Sequence, residues 1–205
     1  MKTIIFDFDG TIADSFEMLL GIFEEITGRP QKLTPKEVKE LRGKSLGGII
    51  KYLKIKRWQI PRMVLKAKKL IATRITTIQT FGGMAETLRQ LAEVGHPMFI
   101  LSTNSAENIN TFLKNNNLDG WFAGVYGDIG LRSKSSALKK IMKKEKIKAV
   151  DCVYIGDEVR DVEAAKKAGV MSVAVGWGFN YSTALKLANP TAIAQSPKDL
   201  LKSLS

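Results

Sequence analysis

Thr3-Ile4-Ile5-Phe6-Asp7-Phe8-Asp9-Gly10-Thr11 starts as a short apolar run and ends in two acids, a glycine and a hydroxyl. A continuous run such as Ile4-Ile5-Phe6 suits a strand covered on both faces of a parallel sheet. Residues two apart on extended chain point the same way, so Asp7 and Asp9 can face one pocket. Gly10 permits a sharp turn, and Thr11 can begin the next element. Open parallel sheets bind ligands beyond the carboxyl ends of their strands, where both acids fall. Close carboxylates repel and resist desolvation unless a cation or a shared proton compensates. A hard divalent ion such as Mg2+ meets that need with oxygen ligands. An Asp-Gly turn between two strands is the plainer use of the same residues.

Downstream, short apolar runs alternate with helical periodicity. Strands are expected at 98–101, 124–127, 152–155 and 172–175, and helices at 84–94, 106–115, 135–146, 162–168 and 197–204. That rhythm predicts an α/β fold, a Rossmann-like parallel sheet with helices on both faces. Residues 14–80 read differently, with helical patterns at 16–26, 45–53 and 61–76 and no convincing strand. Thr34-Pro35-Lys36-Glu37 is a helix start, with Thr34 as cap, Pro35 in the first position and Glu37 completing a capping box. The expected organisation is a core of residues 1–13 and 81–205 interrupted by a small helical domain, residues 14–80.

The net charge of +12 is concentrated in that insertion: residues 14–80 hold 15 Lys or Arg against 6 Asp or Glu, a net +9. From Leu41 to Ala85 there are eleven basic residues and no acidic one. Such a field attracts anions over about 8–10 Å at moderate salt, and Lys66, Lys68 and Lys69 are expected to act only through it. The single cysteine, Cys152, sits in an apolar run and reads as a small buried hydrophobe. No secretory signal and no membrane-length apolar span is read, which makes a reducing cytoplasm the expected location and excludes a membrane partner.

Two further stretches carry chemistry-bearing residues. Leu101-Ser102-Thr103-Asn104-Ser105 puts hydroxyls at a strand tip, suited either to a phosphate oxygen or to capping the next helix. Tyr154-Ile155-Gly156-Asp157-Glu158-Val159-Arg160-Asp161 again sets acids where a buried strand ends, with Asp157 and Asp161 four apart on one side of a helix start. Lys134 opens a lysine-rich helix, either as a cation for crowded carboxylates or as one more solvated lysine. His96 has no His or Cys partner and reads as structural.

Asp7-Phe8-Asp9-Gly10-Thr11 resembles the first motif of the haloacid dehalogenase superfamily, whose members mostly transfer phosphoryl groups. Thr103-Asn104, Lys134 and Gly156-Asp157…Asp161 match its second, third and fourth motifs in order, although Ser135 stands where relatives often have Pro. Gly176-Trp177-Gly178-Phe179 is similar to a loop of phosphoglycolate phosphatase-like members. The resemblance implies that Asp7 is the nucleophile forming an aspartyl phosphate and that Asp9 is the acid/base. It implies Thr103 and Lys134 as the remaining catalytic groups, with Ser102 a one-residue alternative for the hydroxyl. Asp7, Asp9 through its carbonyl, Asp157 and Asp161 would hold Mg2+. Gly10, Thr11 and Asn104 are the implied substrate-binding residues. The insertion corresponds to a helical cap, whose selecting loop would be Arg42-Gly43-Lys44-Ser45, with Arg42 and Lys44 on the substrate. The expected activity is a Mg2+-dependent phosphatase for a small phosphorylated metabolite, in a monomer or dimer. A phosphoglucomutase-like phosphotransferase is the alternative, and a nucleic-acid or polyanion-binding module using the basic insertion is the alternative of another class.

Overall fold

A computed structural model describes residues 1–28, 32–42, 44, 46–52, 54–130 and 133–204. The strands are β1 (Thr3–Phe6), β2 (Met98–Leu101), β3 (Gly124–Tyr126), β4 (Cys152–Gly156), β5 (Met171–Val175) and β6 (Ala192–Ala194). They form one sheet in the order β3-β2-β1-β4-β5-β6, with every neighbouring pair parallel. The helices are α1 (Phe16–Thr27), α2 (Pro35–Arg42), α3 (Leu46–Tyr52), α4 (Ile60–Arg74), α5 (Met84–Glu93), α6 (Ala106–Asn115), α7 (Lys134–Lys144), α8 (Val159–Ala168), α9 (Ser182–Leu187) and α10 (Asp199–Ser203).

From Ile4 to Phe6, β1 is buried because its side chains alternate between two cores. Ile4 and Phe6 enter the layer shared with Leu88, Ile109, Phe112 and Leu200, whereas Ile5 enters the layer with Leu138, Ile141 and Ala165. Helices α5, α6 and α10 therefore cover one face of the sheet, and α7 and α8 the other. The strand order reverses at β1, which pairs with β2 on one side and β4 on the other. That switch point leaves a crevice at the carboxyl ends of β1, β2 and β4, the place where such sheets bind ligands.

Between β1 and α5 the described residues hold helices and no strand. The chain leaves and re-enters the sheet region at one place, where Ala13 bridges Thr80 and the Asp14 N–H donates to the Gln79 carbonyl at 3.0 Å. The expected capping box is present: Thr34 N–H donates to Glu37 Oε2 at 2.8 Å, and Glu37 N–H to Thr34 Oγ1 at 3.3 Å. α4 packs on α1, held by Arg74 on Glu25 at 2.6 Å. No helix among the described residues is long and apolar enough to cross a membrane.

The structure corrects the expected elements in the last third of the chain. β6 and α9 were not anticipated, because Ala192-Ile193-Ala194 and the six residues from Ser182 are too short to show a period. Helix α8 begins at Val159, three residues earlier than expected, so Asp161 lies in its first turn. Residues 45 and 53, the expected limits of the third helix, lie outside the described residues, and α3 spans Leu46–Tyr52 between them.

Candidate active site

The tips of β1 and β4 converge on a buried cluster. Carboxylate oxygens of Asp7, Asp157 and Asp161 lie within 4.8 Å of one another. Lys134 at the start of α7 is 4% exposed and reaches into them, donating to Asp7 Oδ2 at 2.6 Å and to Asp161 Oδ1 at 2.5 Å. The Tyr154 hydroxyl also donates to Asp161 Oδ1, at 3.3 Å. The other Asp161 oxygen accepts the Glu158 N–H at 3.0 Å, so the helix start and the lysine fix this carboxylate together. Asp7 Oδ1 accepts the N–H of Phe8 at 2.8 Å.

Close approach of the strand tips depends on two glycines. Gly10 has φ +77°, and a Cβ there would lie 2.3 Å from Asp157 Oδ2. A Cβ on Gly178 would lie 2.2 Å from the Asp157 Cβ and 2.4 Å from the Gly10 carbonyl oxygen. The second strand tip and the loop after β5 are thus pressed against the first, as only a residue without a side chain allows.

Asp157 is held from two directions, by the Thr11 hydroxyl at 3.0 Å on Oδ1 and the Phe179 N–H at 2.6 Å on Oδ2. The loop resembling phosphoglycolate phosphatase-like members thus lines the site with its backbone. Its Trp177 points the other way, donating from Nε1 to the Thr11 carbonyl at 3.1 Å. Asp9 stands apart from the triad: its side chain accepts the Ser15 hydroxyl at 2.9 Å and the Asn104 amide at 3.2 Å. Asn104 is itself oriented by N–H donors from Ser105 at 2.9 Å and Asn108 Nδ2 at 3.0 Å. The Ser102 hydroxyl is buried and taken up by the Asn104 N–H at 3.1 Å, whereas Thr103 is only half-buried and forms no hydrogen bond among the described residues. Of the two, Thr103 has the hydroxyl available to a ligand.

Burial governs the electrostatics. Desolvation raises Asp7 to about 7 even though Lys134 draws it down. It raises Asp9 against the hydrogen bonds from Ser15 and Asn104, and it raises Asp157 well above its ordinary value, with Glu158 and Asp7 adding to the effect. Burial would push Lys134 down, but Asp161 and Asp7 outweigh it and hold the ammonium charged. Three carboxylates facing one bonded ammonium carry two surplus negative charges when ionised. A hard dication with oxygen preference fits that deficit and that donor set. Asp7, Asp157 and Asp161 are the side chains that would hold it, while the carboxylate of Asp9 is turned to Ser15 and Asn104.

The basic loop of the helical insertion lies differently from the expectation. Arg42 donates from Nε to the Phe179 carbonyl at 3.0 Å and from Nη2 to the Gly178 carbonyl at 2.5 Å. Its guanidinium is stacked 4.9 Å from the Phe16 ring and 5.0 Å from the Tyr181 ring. Those bonds occupy the charge, so in this conformation Arg42 ties the insertion to the loop that holds Asp157. Lys44 lies 5.2 Å from the centre of the Tyr52 ring. Gly43 and Ser45 lie outside the described residues. Lys68 is no bystander: its ammonium meets Asp128 Oδ1 at 2.9 Å, which corrects the expectation that it acts only through a field.

Sequence reasoning missed Ser15, Tyr154 and the ion pair of Glu158 with Arg160 at 2.5 Å. Arg160 lies close enough to favour the ionised forms of both Asp7 and Asp9. Its Nε is buried without a partner among the described residues. Adjacency to Asp157 and Asp161 was the available signal for this pair.

Comparison with known proteins agrees with this geometry. A family model described as haloacid dehalogenase-like hydrolase matches residues 4–175. A phosphoglycolate phosphatase of Synechococcus elongatus is 33% identical over 100% of this chain and 98% of its own length. A pyrophosphatase of Halalkalibacterium halodurans is 27% identical over 98% of this chain and 95% of its own. Among solved structures, a predicted phosphatase from Clostridium acetobutylicum shares the fold with a TM-score of 0.86 at 21% identity, covering 99% of this chain and 97% of that one.

Proposed function

The chain belongs to the haloacid dehalogenase-like hydrolases, and from that membership we propose that it is a Mg2+-dependent phosphatase of small phosphorylated metabolites. Residues 1–13 and 81–205 form its catalytic core and residues 14–80 a helical cap, working in the cytoplasm. The observation that carries this reading is the division of labour among the acids. Asp7 and Asp161 share Lys134, whereas Asp9 is held apart by Ser15 and Asn104.

Asp7 attacks the phosphorus, its Oδ–P bond forming as the bond to the ester oxygen breaks. Asp9, which burial keeps ready to carry a proton, gives that proton to the leaving alkoxide. Water then attacks the aspartyl phosphate, Asp9 accepts the proton, and inorganic phosphate departs with the Asp7 carboxylate restored. Lys134, Thr103 and Arg160 face the charge spread over the phosphoryl oxygens, the main demand of this transfer. When bound, Mg2+ would neutralise the surplus negative charge of the acids and of the phosphoryl group.

Phosphoglycolate is the first substrate to test, because a relative 33% identical over the whole chain is a phosphoglycolate phosphatase. A panel of phosphate esters and pyrophosphate, read by free phosphate with Mg2+ and with chelator, tests the reaction class. Phosphoglycolate should lead the panel, and full turnover in excess chelator would refute the metal role. Asp7→Asn should leave the fold intact and remove turnover. Release above a few per cent of the unmodified protein, roughly the level expected from deamidation, would refute Asp7 as nucleophile.

A further inference from the structure

The end of the helical insertion away from the acids holds a second feature. The stretch after α3 and the first turns of α4 enclose, with the end of α1, a groove of about 440 Å3. Lys54, Arg62 and Lys66 line it, Ile55 and Met63 contribute apolar wall, and Trp58 stands against it with 73% of its surface exposed. The volume falls within the roughly 300–1,000 Å3 of small-ligand sites. Among the described residues, Lys54 and Arg62 have no acidic partner, and Trp58 has no ring or cation partner. Lys66 approaches Glu25 only at 3.8 Å, and that carboxylate is already bonded to Arg74.

The groove is remote from the chemistry. Phe16, at the start of α1, touches Phe179 beside Asp157, while the groove takes Ile26 and Thr27 at the other end of the same helix. That is about 15 Å along a helix axis at 1.5 Å per residue.

We propose that this groove is a nucleotide-binding site, with a base stacked on Trp58 and the phosphate on Lys54, Arg62 and Lys66. An open indole beside unpaired cations matches both halves of a nucleotide, since every base offers a π-face and every phosphate an anion. A second copy of this chain is a poor occupant, because an isologous contact would set like charges against each other. A simple anion would use the cations and leave the indole idle. The same chemistry is offered by a free nucleotide and by one residue of a single strand, and the remaining cations of the segment, Lys51, Lys56 and Arg57, would serve the longer ligand.

The test is calorimetric titration of the full chain with ADP, with pyrophosphate and with a ten-residue oligothymidylate, backed by quenching of tryptophan fluorescence. Binding should be one-to-one and should survive Asp7→Asn. It should weaken at least about fivefold in Trp58→Ala, the size of base–aromatic stacking, and comparably in Arg62→Gln with Lys54→Gln. The kcat for hydrolysis of a small ester should be unchanged in these variants. Saturation by ADP would assign the free nucleotide, and binding of the oligomer alone would assign the strand. The proposal fails if pyrophosphate binds as tightly as ADP, if Trp58→Ala binds like the unmodified protein, or if no ligand in the set binds. It also fails if Asp7→Asn abolishes binding, since the nucleotide would then occupy the acidic site.

Discussion

Lys134→Met would replace the cation bonded between Asp7 and Asp161 by an apolar chain of similar length. The ammonium is almost wholly buried, so water cannot take over its two short hydrogen bonds. Removing one member of a buried ionic cluster costs about 3–5 kcal/mol, mostly through the charge left uncompensated. Part of that loss returns as proton uptake. Burial already lifts Asp7 to about 7 against the pull of Lys134, and without the lysine its carboxyl rises further. The loss should therefore be largest near pH 8 and shrink toward pH 5, where the acids can be neutral. Urea unfolding in chelator at both pH values measures it, with comparable slopes confirming that the two proteins unfold alike.

Mg2+ supplies the second arm of the same experiment. Binding to the folded state adds about 2.7 kcal/mol at 100 times Kd. With one positive charge fewer among three carboxylates, the variant should bind Mg2+ more tightly and so gain more stability than the unmodified protein at the same free Mg2+ concentration. Phosphate release should nevertheless fall by about 10²–10³, the usual cost of removing one preorganised charge from a transition state. A loss below about 1 kcal/mol near pH 8 in chelator would refute the claim that Lys134 balances the triad.

Other expectations follow from the same acids and their neighbours. Asp7, Asp9 and Asp157 have folded values above the unfolded 3.8, so their contribution is full below about pH 4 and is lost as pH rises through the folded values, about 7 for Asp7. Metal-free stability should decline between pH 4 and 7 by up to about 1.4 kcal/mol per pH unit for Asp7, with Asp9 and Asp157 acting in the same direction, and Mg2+ should flatten the decline; metal-free stability that climbs across this window would contradict the burial argument. Gly178→Ala forces Asp157 or the Gly10 carbonyl to move, so the Mg2+ concentration for half-maximal activity should rise about tenfold or more. An unchanged Mg2+ requirement in that variant would show that the loop does not set the position of Asp157.

The core was legible in the sequence because its elements are local and repetitive. β1, β2 and β4 are apolar runs that stop at acids or hydroxyls, and helix α6 was expected at its observed limits because Ser105 caps it and its apolar residues recur at helical spacing. The acids at the strand tips were visible for the same reason, since a buried run ending in carboxylates has few plain structural uses. What could not be read was which side chains hold those acids. Ser15 precedes a helix and Tyr154 lies in a strand, both ordinary places, and only the fold brings them to Asp9 and Asp161. Gly178 looked like part of an aromatic loop, yet its importance is that a Cβ there would lie 2.2 Å from the Cβ of Asp157, a residue 21 positions earlier. β6 is three residues long and exists because β5 offers it an edge, which is information held by the sheet and not by Ala192-Ile193-Ala194.

The charge of the insertion shows most clearly how contact and composition part ways. Counted as a field, Lys68 and Lys69 are equivalent neighbours on α4. In the structure Lys68 meets Asp128 in the stretch after β3, whereas Lys69 has no ion pair among the described residues. Asp128 is lowered chiefly by that lysine and also accepts the Ala106 N–H at 3.4 Å, so the pair joins α4 to the start of α6. Both side chains are about half exposed, which limits the pair to about 0.2–1 kcal/mol, or up to about a fivefold shift in how often the insertion sits on the core. Lys68→Gln should then lower kcat/KM by about twofold to fivefold, and the effect should vanish in the Asp128→Asn background. Lys69→Gln should change kcat/KM less, only at low salt, and by the same factor in either background. Equal effects of the two lysines, both additive with Asp128→Asn, would mean that the pair does not help hold the insertion and that the field alone acts.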